Sequence, residues 1–123
     1  MALTVAGFDS STFDYKIVYE TASTTTINTN VTGTSGSLYS VDIDNQSNAG
    51  VFVKIHDGAS PDISVTNPDM IIHVPTSSNN TKRLEIPGGW PFTILNFWTS
   101  TGEEVNNTGA PAGGNVIITL VTS

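Results

Sequence analysis

The chain has 123 residues, 11 acidic against 4 basic side chains, a formal charge of −7 and no cysteine. That is the size of one ordinary domain, and the absence of cysteine excludes disulfides, thiolate metal sites and cysteine nucleophiles. The cations Lys16, Lys54, Lys82 and Arg83 form no cluster able to neutralise several phosphates, so neither nucleic acid nor an anionic membrane is an expected partner.

Residues 1–12 show no periodicity and read as an arm or an early edge strand. Residues 14–20 alternate, with Tyr15, Ile17 and Tyr19 opposed to Lys16 and Val18, which reads as a strand. Residues 21–34 are rich in Thr and Asn, with Ile27 and Val31 as apolar anchors; residues 24–29 read as a polar strand at a sheet edge. Residues 1–37 are thus taken as an N-terminal arm with edge strands, and residues 38–123 as the core of a single domain.

The strongest signal lies in residues 38–57. Tyr39, Val41 and Ile43 alternate with Ser40, Asp42 and Asp44; after a polar break, Val51, Val53 and Ile55 alternate with Phe52, Lys54 and His56. Period-two patterning on both sides of a turn predicts two strands of one sheet with one buried face. A loop holding Pro61 and Pro68 follows, then a short strand at Met70–Val74, a polar turn at 76–80 and a strand at 81–86. Pro87-Gly88-Gly89 reads as a hard stop. Residues 92–98 predict an apolar strand, 99–114 a long loop, and 116–121 a last strand, apolar on both faces and therefore central. No segment carries a helical period. The expected fold is all-β, an antiparallel β-sandwich or jelly roll of about seven or eight strands.

The first eleven residues lack the basic start and apolar stretch of a secretory signal, and no apolar run is long enough for a membrane helix. The sequons at Asn30, Asn45, Asn79 and Asn106 accordingly read as chance in an Asn/Thr/Ser-rich chain.

Candidate chemistry is sparse. Asp42 and Asp44 share a strand face, with Asp57, Asp62 and Asp69 in later turns, but Ca²⁺ requires about six to eight oxygens and no calcium loop follows. A solvated face is expected. His56 and His73 lack a third ligand for Zn²⁺ and read as surface or interface histidines. There is no G-x-S-x-G, and Gly88-Gly89 and Gly113-Gly114 read as turn glycines. No catalytic residue, cofactor or metal is expected, and the chain is not read as an enzyme. Trp90, Phe92, Phe97 and Trp98 form the densest aromatic group. With Phe52 they are the candidates for core or subunit contact, since aromatics are enriched at interfaces; a ligand platform is the other reading.

Leu38-Tyr39-Ser40-Val41-Asp42-Ile43-Asp44-Asn45 followed by Val51-Phe52-Val53-Lys54-Ile55-His56-Asp57 resembles small β-sandwich virion proteins of tailed bacteriophages. Pro68-Asp69-Met70-Ile71-Ile72-His73-Val74-Pro75, Leu84-Glu85-Ile86-Pro87-Gly88-Gly89 and Thr108-Gly109-Ala110-Pro111-Ala112 before a last apolar strand continue the likeness over residues 38–121. It departs at Trp90-Pro91, where the family has a smaller residue. The resemblance implies a capsid decoration (cement) protein on the capsid exterior, or another small head or tail component. Such a decoration protein is a homotrimer without cofactors, bound to the major capsid protein or other virion proteins. The alternative is a carbohydrate-binding or host-adhesion module using Trp90 and Trp98. A small hydrolase on a jelly-roll scaffold is a third reading, which fold alone cannot support.

Overall fold

The computed structural model describes residues 3–7, 15–76 and 80–123. Among these residues there are eight strands and no helix: β1 (Leu3–Gly7), β2 (Lys16–Glu20), β3 (Gly36–Asn45), β4 (Val51–Asp57), β5 (Met70–Val74), β6 (Asn80–Phe92), β7 (Leu95–Ser100) and β8 (Val116–Thr122). They form two antiparallel sheets, one five-stranded in the order β1-β2-β8-β3-β6 and one three-stranded in the order β5-β4-β7. The all-β sandwich expected from the sequence is the fold observed.

The core lies between the layers because alternate residues of each strand are apolar. Val41 and Ile43 of β3, Ile118 and Leu120 of β8 and Val18 of β2 face Val53 and Ile55 of β4, Val74 of β5 and Phe97 of β7. As expected, β8 is the central strand of the larger sheet.

The narrow layer has a fourth place, filled without a regular strand. Residues 24–31 run along the free side of β7. Asn28 and Phe97 exchange both backbone hydrogen bonds (2.9 and 3.0 Å), Thr99 N donates to Thr24 O and Val31 N to Leu95 O. The pairing resolves into an isolated bridge, so the polar edge strand expected at 24–29 is present in position and hydrogen bonding but not in regular form. Counting this segment, β2-β8-β3-β6 faces (24–31)-β7-β4-β5, the strand order of a jelly roll. β1 is an added strand at the rim.

The structure corrects several expectations. β3 and β4 lie in different sheets; the break between them crosses from layer to layer. Asn45 shapes it: its Oδ1 accepts from Ser47 N (3.0 Å) and Ser47 Oγ (2.6 Å), while its Nδ2 donates to Ala49 O (2.9 Å). Alternation reports a buried face, which sheets of either layer provide equally. Residues 92–98 are not one strand. Phe92 ends β6 in the larger sheet and Leu95 begins β7 in the smaller. The crossing is held by Asp57 Oδ1, which accepts from Thr93 N (2.9 Å) and Ile94 N (2.8 Å). Within the described part of residues 1–37, β2 is interior to its sheet, and Val18 and Val31 belong to the core. Parts of the expected arm and of the 76–80 turn, including Asn79, lie outside the described residues.

Pro87-Gly88-Gly89 does not stop the strand. β6 continues through it, and the register jumps from Ser40↔Glu85 to Leu38↔Trp90, leaving Ile86 to Gly89 opposite Tyr39 alone. This bulge also shifts β3, so Leu38 and Val41 are both buried while Tyr39 lies only partly covered. Gly88 and Gly89 each have φ +81°, a region open to glycine. A Cβ on Gly88 meets no atom within 4 Å, whereas one on Gly89 falls 2.8 Å from Tyr39 Cε1. Gly88→Ala therefore carries backbone strain alone, about 1–2 kcal/mol, and Gly89→Ala adds an overpacking penalty of about 1–3 kcal/mol. Urea unfolding should give the lower midpoint for Gly89→Ala; equal midpoints would contradict the packing of the bulge on Tyr39.

Candidate interaction surface

The aromatic candidates separate by burial. Phe97 and Trp98 are 0% exposed and Phe92 is 4% exposed, so all three are interior groups. Their burial belongs to the core half of the reading as core or subunit contact. Phe97 points between the sheets, and Trp98, next along β7, points to the opposite face. That face is closed too, because the loop after β7 folds over it. Lys54, paired with Trp98 across β4 and β7, is 0% exposed and donates from Nζ to Glu104 O at 2.8 Å. Burial lowers the Lys54 pKa below the ordinary 10.5, and the Glu104 carboxylate raises it part of the way back. A two-sided apolar pattern thus marks a strand covered by its own chain.

Trp90 and Phe52 remain partly accessible. Trp90 packs against the core margin. Phe52 stacks on His73 across β4 and β5, centroids 4.4 Å apart and planes 12° apart. His56, on β4, is separate from His73. Its Nδ1 lies 3.5 Å from Asp69 Oδ2. The two histidines therefore share no ligand position, and among the described residues no group of three or more His, Cys, Asp or Glu side chains could hold a metal.

Asp42 and Asp44 lie half-buried on the outer face of the five-stranded sheet. Asp42 Oδ1 is 3.7 Å from Arg83 Nε, which is 3.1 Å from Glu85 Oε1; Asp44 Oδ2 accepts from Gln46 Nε2 at 2.9 Å. Thr81, Lys82, Ile117 and Thr119 complete a shallow depression of 250 Å³ around them. Its charges are mixed, Asp44 Oδ1 is buried without a hydrogen-bond partner among the described residues, and the depression brings together no nucleophile with a base.

Among the described residues the exposed large apolar groups are Leu3, Val5, Tyr15, Tyr19, Val65 and Ile71, and the first four lie at one edge of the larger sheet. Leu3 (38%), Val5 (42%) and Tyr19 (40%) lie on β1 and β2, and Tyr15 (43%) just before them. Tyr15 meets Tyr39 edge-to-face at 5.3 Å. Leu3 pairs with Glu20 and Val5 with Val18. Opposed residues share a face, so Leu3 and Val5 lie on the core side of the sheet. They are exposed because the three-stranded layer does not reach β1. An early edge strand is one of the two readings of residues 1–12 above, though without its exposed apolar side chains. The L-T-V-A alternation of residues 3–6 was its only signal, and four residues are too few to establish a period.

Comparison with protein-family models, curated proteins and solved structures returned no match. The class of the protein is that of its fold, a two-layer antiparallel β-sandwich with jelly-roll strand order.

The buried ammonium gives a pH test. The folded pKa of Lys54 is depressed, so the unfolded chain binds more protons below 10.5 and stability from this group rises with pH towards that value. Lys54→Met removes the linkage. Wild type should gain stability relative to Lys54→Met as pH rises through the alkaline window below 10.5, read from denaturant midpoints at matched pH. A pH-independent difference would show that Lys54 is solvated.

Proposed function

We propose that this chain is a structural protein of a bacteriophage virion, a capsid decoration protein that binds the outside of the head and stabilises it. The observation that carries this reading is the exposed apolar edge of the larger sheet, with Leu3 and Val5 on its core-side face and Tyr15 and Tyr19 on its outer face, set in a surface otherwise poor in charge. A rim of this kind suits contact with protein. The resemblance of residues 38–121 to small phage virion proteins supplies the context. Jelly rolls recur in viral capsid and lectin domains, so the fold is compatible with the reading and does not select it.

Decoration needs adhesion rather than turnover. Several weak contacts made by linked copies give lasting attachment, because each contact after the first is made at high local concentration. The partners are the major capsid protein or other virion proteins and further copies of this chain, and no cofactor enters. The carbohydrate-binding alternative relied on Trp90 and Trp98 together. Trp98 has no exposed surface, so it cannot stack on a sugar.

Purified protein should cosediment with heads of the phage that encodes it, at a saturable copy number. Heads assembled without it should release DNA at lower temperature or after milder osmotic shock. Unchanged head robustness together with no cosedimentation would overturn the proposal.

A further inference from the structure

A sandwich of two open sheets has four edges, and unpaired strand edges recruit other chains unless they are blunted or covered. Three edges here are managed. β7 is covered by the backbone of residues 24–31. β5 is flanked by Pro68 and Pro75, and Lys82 Nζ from β6 donates to its His73 carbonyl at 3.1 Å. β6 carries Lys82, Arg83, Glu85, Pro87 and Pro91, charges and prolines that oppose strand addition.

Among the described residues, β1 has none of these devices. It pairs with β2 on one side and stands at the end of the strand order on the other. Its sequence, Leu-Thr-Val-Ala-Gly, holds no charge, no proline and no bulge. No β1 residue belongs to the core cluster. The strand is bound to the domain through one ladder and offers a second.

We propose that the free edge of β1 pairs antiparallel with β1 of a second copy, about a two-fold axis at Val5, joining the two five-stranded sheets into one. The complement of an uncharged extended edge is another such edge, and an isologous pair satisfies both at once. Charge selects the place of contact. Each copy carries −7, so like molecules meet most easily along a stretch bearing no ionised side chain. Val5 then stands opposite its counterpart on the core-side face, with Leu3 flanking it on each copy. The four side chains make an apolar strip between the two sandwiches, where each monomer's narrow layer falls short. On the other face the strand presents only Thr4 and Ala6, too small to obstruct approach.

A five-residue ladder buries less than the roughly 1,200 Å² of a standard interface. The pair is therefore a weak, concentration-dependent one, suited to a crowded surface where neighbours are held close. The inference goes beyond the virion reading and does not need it.

Sedimentation velocity of the full chain from about 1 µM to 1 mM should show monomer passing to dimer. Val5→Lys places like charges across the axis and should weaken the dimer by about tenfold or more. Val65→Lys, on a loop where Val65 is 70% exposed, should leave it unchanged. Hydrogen exchange of the unaltered protein should slow at Leu3–Gly7 amides as concentration rises. This readout stands if Val5→Lys proves unfolded by circular dichroism. A monomer throughout, a dimer indifferent to Val5→Lys, or equal exchange at both concentrations would overturn the proposal. So would a trimer, and a trimer that still bound heads would leave the virion reading intact.

Discussion

Two layers of unequal width must enclose one core, and the arrangement depends on the segment that makes up the difference. Residues 24–31 stand where a jelly roll has a strand of its narrow sheet. Their Thr and Asn side chains supply polar groups that a regular apolar strand would lack. Glu20, 0% exposed, anchors the segment from β2: its carboxylate accepts from Ala22 N at 3.0 Å and from Asn28 Nδ2 at 3.0 Å. Ser23 Oγ and Thr99 Oγ1 bond at 2.8 Å beside it. A carboxylate is costly to bury unless hydrogen-bonded, so this seam ties the position of the segment to the end of β2. Through Asn28 and Phe97 it also fixes β7 against the larger sheet.

That solution has a limit at the rim. The segment widens the narrow layer by one place, and the larger sheet extends one strand further. β1 therefore carries core-side apolar residues with nothing above them. The same covering logic explains the aromatic cluster. The loop after β7 lies over Trp98 and Lys54, which turns an exterior face into an interior one. Both functional inferences rest on the exposed edge of the larger sheet that results.

The fold class was legible because strand alternation is a local property. Val41, Ile43, Val53 and Ile55 announce a buried face whichever layer they occupy. Layer assignment was not legible, because the Asn45 turn that separates β3 from β4 is made of side-chain-to-backbone bonds that a polar hairpin loop could also contain. Pro87-Gly88-Gly89 carried a breaker signal, yet a wide bulge uses the same residues as a strand end. For a related reason the aromatic group was legible only as core or subunit contact. Two-sided burial in β7 arises from a polar loop distant in sequence, and nothing in residues 95–100 distinguishes a lid of the same chain from a partner. The edge strand β1 was legible only as one of two alternatives, because four alternating residues are too few to fix a period.

The clasp between Lys54 and the loop after β7 has a consequence for sequence drift. Its acceptor is the main-chain carbonyl of Glu104, which every amino acid supplies. Substitutions at that position can accumulate while the contact survives. An inserted or deleted residue between Ser100 and Glu104 would instead carry the carbonyl out of reach and strand an ammonium group without its acceptor. The loop is therefore free in spelling and fixed in length.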